Sequence, residues 1–172
     1  MQRNRARLRE AMTELVLEVF RLNGRLLAAG DALVSDIGLT SARWQVLGAV
    51  ALSPVPLPVA HLARNMGLAR QSVQRLVDEM MNDGLVRYAP NPHHRRAKLV
   101  LLTDRGHMTY RAAMDRQGPW ADGLAAGLTP DAILSVTGIL RKIRGRTDSD
   151  VTAGSETAES LMTRGNKHGG VR

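Results

Sequence analysis

A mainly α fold with a small β-wing is what this sequence predicts, on three observations. Apolar residues recur every three or four positions through most of the stretch from Leu8 to Ile143. One stretch reads instead as two strands, Leu85–Tyr88 and Lys98–Leu102, flanking the turn-rich segment Pro90-Asn91-Pro92-His93-His94-Arg95-Arg96. Directly before it lie two short helical patterns, residues 59–66 and 69–82, separated by Gly67.

The elements follow in order. Leu8, Met12, Leu15, Val19, Leu22 and Leu26 are spaced 4, 3, 4, 3, 4, a heptad-like seam on one helix over residues 5–29. Val16, Phe20 and Leu27 widen its apolar face, so the helix is expected to meet a second chain as well as its own core. Gly30 is expected to end it, and Ser35-Asp36-Ile37-Gly38 to form a loop. Thr40 or Ser41 can cap a helix through Trp44, Val46, Leu47 and Val50. Pro54, Pro56 and Pro58 exclude helix and leave an extended connector suited to a short edge strand.

Val59, Leu62, Ala63 and Met66 form the inward face of the next helix, and Gly67 allows a tight turn. Val73, Leu76, Val77 and Met80 form the core face of the helix after it, and Gly84 suits a left-handed cap. Beyond the hairpin, Thr103-Asp104 caps a helix that Gly118-Pro119 is expected to kink or break. Thr129-Pro130-Asp131 starts a last helix through Ile133, Val136, Leu140 and Ile143. From Gly145 onward large apolar residues are nearly absent, which predicts a disordered tail.

A helix, a tight turn, a helix with a basic polar face and a hairpin with a basic tip form a shape that fits DNA. The second helix fills the major groove and the hairpin reaches the backbone or minor groove beside it. Charge agrees. The chain has a net charge of +8, and residues 61–98 hold seven basic and three acidic residues while residues 145–172 hold four of each. There is no cysteine, which excludes disulfides, thiol redox sensing and cysteine-ligated zinc. No segment approaches the ~20 apolar residues of a membrane span, so the expected location is the cytoplasm, with no membrane partner.

Three stretches, LTSARWQVL at 39–47, LARNMGLARQSVQRLVDEMMNDGLV at 62–86 and NPHHRRAKLVLLTDRG at 91–106, strongly resemble the MarR family of winged helix-turn-helix regulators. The resemblance covers residues 5–144. It implies a homodimer on a pseudo-palindromic DNA operator, acting as a repressor and released by a small phenolic or anionic effector. It also implies a division of the chain. Residues 1–35 and 104–144 form a helical dimerisation region, residues 36–103 form the winged helix-turn-helix lobe, and residues 145–172 form the tail. Two positions depart from the family pattern. Asn91 and His94 stand where the family wing usually has aspartates, and Ala69 stands where the recognition helix often begins with Ser or Thr.

Candidate residues follow, each weighed against a plainer reading. Arg70, Gln71, Ser72, Gln74 and Arg75 would be a solvated helix face on an isolated helix. Between a glycine turn and a wing they become base and phosphate ligands. Arg75 and Arg70 suit guanine, Gln71 or Gln74 adenine, Ser72 phosphate, and the Ala69 N–H can still reach phosphate. Arg95 and Arg96 at the hairpin tip are expected at phosphate or the minor groove, and His94 can donate to phosphate. Arg87 faces solvent or a phosphate. Adjacent His93 and His94 lack metal-ligand spacing, and no cofactor or metal is expected.

Trp44 is either core or the wall of an effector pocket, with Arg43 and His61 similarly placed. Leu8, Met12, Leu15, Val19, Trp120, Ile133 and Leu140 are the dimerisation candidates. The competing reading is a winged-helix protein–protein interaction module that does not bind specific DNA. A basic helix together with a basic wing speaks against it. Neither a nucleophile–base pair nor a glycine-rich phosphate loop supports an enzyme.

Overall fold

The computed structural model describes the backbone of residues 2–94 and 96–165, and side chains as far as residue 147. It is mostly helical with one small sheet. The order is α1 (Gln2–Val34), a 3-10 turn (Ser35–Ile37), α2 (Ser41–Ala51), β1 (Leu57–Pro58), α3 (Val59–Met66), α4 (Arg70–Asn82), β2 (Val86–Ala89), β3 (Leu99–Leu102), α5 (Asp104–Ala125) and α6 (Pro130–Gly165). The chain divides into two compact units, residues 1–121 and 122–172.

In the first unit, α2, α3, α4 and the sheet enclose one core. Val46, Leu47, Leu62, Val73, Val77, Met80 and Val100 are fully buried in it. All but Val100, on β3, are inward positions that helical spacing assigns to α2, α3 and α4. Gly67 (φ 66°) and Gly84 (φ 69°) adopt the left-handed backbone that ends α3 and closes the chain after α4. The sheet is antiparallel in the order β1-β3-β2, and the proline-rich connector supplies β1 as an edge strand. The register pairs Val86 with Leu102 and Tyr88 with Val100. Alternation then turns Val86, Val100 and Leu102 inward and leaves Arg87 exposed.

Three expectations are corrected. Helix α1 does not end at Gly30 but runs on to Val34, and Ser35–Ile37 form a 3-10 turn rather than a loop. Gly30 instead sits where α1 packs closely on α2: a Cβ there would lie 2.7 Å from Ser41 Oγ and 3.2 Å from Ser41 Cβ. Of the kink or break expected at Gly118-Pro119, the break does not occur: helix α5 continues through Pro119. Asp115, whose carbonyl loses its partner, and Pro119 are both exposed, so solvent can serve that carbonyl.

In the second unit, Gly127 (φ 79°) turns the chain. Thr129 Oγ1 accepts from the Ala132 N–H at 3.3 Å at the start of α6. Helix α6 extends to Gly165, past the point where composition predicts a disordered tail. No proline follows Pro130 to interrupt it. Residues 166–172 of that tail lie outside the described residues.

Candidate nucleic-acid interface and a second cavity

Helix α4 presents its polar face on the surface. Its first residues have no side-chain cap: Ala69 takes an extended conformation (φ −63°, ψ 133°) and only its carbonyl is engaged, by the Val73 N–H at 3.2 Å. Free N–H groups at that end form a partial positive charge. Arg70, Gln71, Ser72 and Arg75 are all exposed. The Arg75 side chain is 79% exposed and makes only a long contact, 3.8 Å, with Glu79. Such a pair contributes little and leaves the guanidinium free to turn outward.

Gln74 is placed differently from its neighbours. It is half-buried, and its amide nitrogen donates to Asp78 Oδ1 at 2.9 Å and to the Tyr88 hydroxyl at 2.8 Å. Tyr88 in turn donates to Asp78 Oδ1 at 3.0 Å. Burial, and then the bond to the Asp78 carboxylate, push the Tyr88 phenol above its ordinary pKa, so it stays a proton donor. Gln74 thus ties α4 to the wing through its amide nitrogen, unlike its exposed neighbours on the same face. A tyrosine on the inner side of β2 needs a partner for its hydroxyl. The polar pair Gln74 and Asp78, one turn apart on α4, supplies it.

A groove of about 260 Å³ runs between α4 and the wing, lined by Arg70, Asp78, Tyr88, Arg96 and Lys98 among others. It brings Arg70 and Arg96 to one depression, although they are far apart in sequence. Lys98 Nζ stands 5.7 Å from the centre of the Tyr88 ring, adding a cation–π contact. Arg87 and His94 are exposed but do not line the groove, and Arg95 lies outside the described residues.

The base of the wing is closed by Asn91. Its Nδ2 donates to the Ala97 carbonyl at 2.9 Å, and its Oδ1 accepts from the His93 N–H at 3.0 Å. An aspartate could make the second bond but not the first. The departure from the family pattern at this position is thus structurally coherent.

A cavity of about 420 Å³ lies between α1, α2 and α5, walled by Trp44, Tyr110 and Trp120, with the amide side chains of Asn23, Gln45 and Gln117 at its surface. Of the three pocket candidates, only Trp44 lines it. Arg43 points elsewhere, to Asp83 and the Gly38 carbonyl, and His61 is exposed on α3. Trp120, expected at a dimer contact, is half-buried in this wall. Leu15 is also half-buried, whereas Leu8, Met12, Val19, Ile133 and Leu140 are exposed in the single chain.

Comparison with known proteins agrees with this geometry. Residues 37–97 match the model of the MarR family. An uncharacterized protein of Mycobacterium tuberculosis, Rv2011c, is 33% identical over 134 residues, 78% of this chain and 92% of its own. The transcriptional activatory protein BadR of Rhodopseudomonas palustris is 32% identical over 99 residues, 56% of this chain and 57% of its own. Among solved structures, a mutant MarR from E. coli complexed with operator DNA superposes with a TM-score of 0.68 at 21% identity, covering 77% of this chain and 95% of that one. A turn-linked helix pair, a β-wing and the relatives that share them lead to one assignment: this chain belongs to the MarR family and has the DNA-binding winged-helix fold of its transcription regulators.

Proposed function

We propose that the protein is a homodimeric, sequence-specific DNA-binding regulator that represses transcription from a pseudo-palindromic operator and releases it when a small molecule fills the cavity. The observation that carries the reading is the groove between α4 and the wing, where Arg70 and Arg96 converge beside an uncapped helix start. Arg70, Gln71 and Arg75 would meet the major groove, with Ser72 and the Ala69 N–H on phosphate. Arg96, aided by Arg95, His94 and Arg87, would hold the flanking backbone.

Exposed apolar residues support the dimer. In α1, Leu8, Met12, Val19 and Phe20 are 37–69% exposed, too much apolar surface to leave in water on one helix. Residues 1–35 and 104–144 would pair two copies and hold two copies of the 36–103 lobe about 34–36 Å apart, one turn of DNA.

A footprint on the intergenic DNA beside the gene tests the reading, with a promoter-reporter assay for its sign. The expected result is a protected palindrome, affinity that falls steeply with salt, and repression; activation, as the name of BadR says of that relative, would reverse the sign alone. No preferred sequence, with binding to a protein partner undisturbed by competitor DNA, would replace it with a protein-docking module.

A further inference from the structure

We propose that the cavity between α1, α2 and α5 takes an uncharged, flat aromatic ligand carrying a carboxamide or lactam group, and turns carboxylates away. The inference rests on the reading of that cavity as an effector site and names the chemistry of its ligand. At about 420 Å³ the cavity, open to solvent on one side, has room for a small molecule of one or two rings.

Its walls decide the class. Trp44, Tyr110 and Trp120 offer ring faces and edges for stacking, and Leu26, Leu27 and Met114 fill the spaces between them. The polar groups are neutral. Asn23, Gln45 and Gln117 each carry a donor and an acceptor on one planar amide, which matches a ligand that also donates and accepts. Gln45 Nε2 donates to Ser41 Oγ at 3.4 Å, which leaves its oxygen for the ligand.

Among the described residues, no Arg, Lys, His, Asp or Glu lines the cavity. Two arginines adjacent in sequence to its walls are committed elsewhere. Arg43, beside Trp44, is bound to Asp83 and the Gly38 carbonyl. Arg116, beside Gln117, is bound to both oxygens of Asp36 and to the Ala112 carbonyl. Arg25 and Arg111 are exposed and off the wall. A carboxylate set against these ring faces would give up part of its hydration and find no counter-charge on the walls.

The matched probes are 2-naphthamide and 2-naphthoate, titrated into the full-length protein by calorimetry and by proton–nitrogen NMR. The chain contains only two tryptophans, and both stand on the wall, so the two indole N–H signals report this cavity. The expected result is that 2-naphthamide shifts both indole signals and binds at least tenfold tighter than 2-naphthoate. Gly48→Leu should abolish that binding by filling the space. Gly48→Ala should weaken it, since the added methyl meets Tyr110 Cε2 at an ordinary 3.7 Å and leaves the helix intact.

Equal or tighter binding of 2-naphthoate overturns the proposal. So does the absence of any indole shift up to the solubility limit of 2-naphthamide, or amide binding that survives both substitutions. Operator affinity is measured in parallel without and with the amide. Amide binding that leaves operator affinity unchanged keeps the ligand class and sinks the effector role. A failure to bind any operator sinks the regulator reading alone.

Discussion

The Tyr88 hydroxyl donates to Asp78 at 3.0 Å while accepting from the Gln74 amide at 2.8 Å, so one strand of the wing is fastened to the recognition helix α4. Tyr88→Phe removes both bonds and keeps the ring beneath Lys98. Hydrogen bonds to charged groups contribute more than neutral ones, so the variant should lose about 1–2 kcal/mol in urea unfolding. Gln74 would be freed toward the DNA-facing side. Operator selectivity of the variant should therefore change, whereas a purely structural strut would lower stability and leave base preference as it was.

Arg75 and Arg96 should behave as two kinds of contact. Arg75→Ala should cost about 1–3 kcal/mol on the preferred operator and relax the preference at one base position. Arg96→Ala should weaken all sequences alike and lower the salt slope by about 1. Anisotropy titrations on operator variants at several salt concentrations separate them. A uniform loss for Arg75→Ala would place that residue on phosphate.

Asn91 makes a specific claim about the wing. Asn91→Asp keeps the acceptor for the His93 N–H and loses the donor to the Ala97 carbonyl, placing a negative charge near that oxygen. A single net hydrogen bond of about 0.5–1.5 kcal/mol predicts a loss of operator affinity between roughly twofold and tenfold. Faster amide exchange confined to the hairpin tip would accompany it. Unchanged affinity and exchange would mean that the clasp does not order the tip.

How much of this was legible beforehand depended on the range of the signal. Gly67 and Gly84 announce their turns because a left-handed backbone is a local demand, and the inward positions of α3 and α4 follow from helical spacing alone. Gly30 misleads for the opposite reason: its missing side chain answers Ser41 on another helix, a contact that no local pattern encodes. The same holds for Gln74. Spacing puts it beside Arg70 and Arg75 on a polar face, and only the approach of β2 reveals that Tyr88 has claimed it. Arg43 and His61 lie in the right part of the chain for a pocket, but their directions depend on Asp83 and on solvent, and only Trp44 turns inward.

Acid should loosen the tie between α5 and the turn after α1. Arg116 grips Asp36 with Nε at 3.1 Å and a terminal nitrogen at 2.6 Å, and this bond holds the Asp36 carboxyl below its ordinary value. A depressed folded value gives stabilisation that is complete above the unfolded pKa, about 3.9, and is lost as pH falls through the folded one. Asp36→Asn should therefore lower Tm at pH 7 and differ progressively less from the parent below about pH 4. A Tm difference independent of pH would show that the pair contributes through shape alone.

Gly106 and Gly123 lie on the same helix and should respond with opposite signs to alanine. A Cβ on Gly123 meets nothing within 4 Å, so helix propensity alone should stabilise Gly123→Ala by up to about 1 kcal/mol. A Cβ on Gly106 would sit 2.0 Å from the Leu85 carbonyl oxygen, which no rotamer relieves. Gly106→Ala should cost about 3 kcal/mol or more, or fail to fold. Thermal melts of the two variants decide the matter, and a tolerated Gly106→Ala would mean that β2 gives way readily.

That bare contact between Gly106 and Leu85 has a mechanical meaning. Thr103 adds to it: its hydroxyl donates to the Gly84 carbonyl at 2.6 Å, its N–H donates to Leu85 at 3.1 Å, and its Oγ1 accepts from the Gly106 N–H at 3.0 Å. Arg105 reaches the Asp83 carbonyl at 2.9 Å. With backbone against backbone and no flexible side chain to absorb slack, the root of α5 and the root of the wing turn together like two teeth of one gear. If two copies pair through α5 as proposed, a rotation of that helix should carry the wing with it, and the angle between two wings on a duplex would then report how the α5 helices are held.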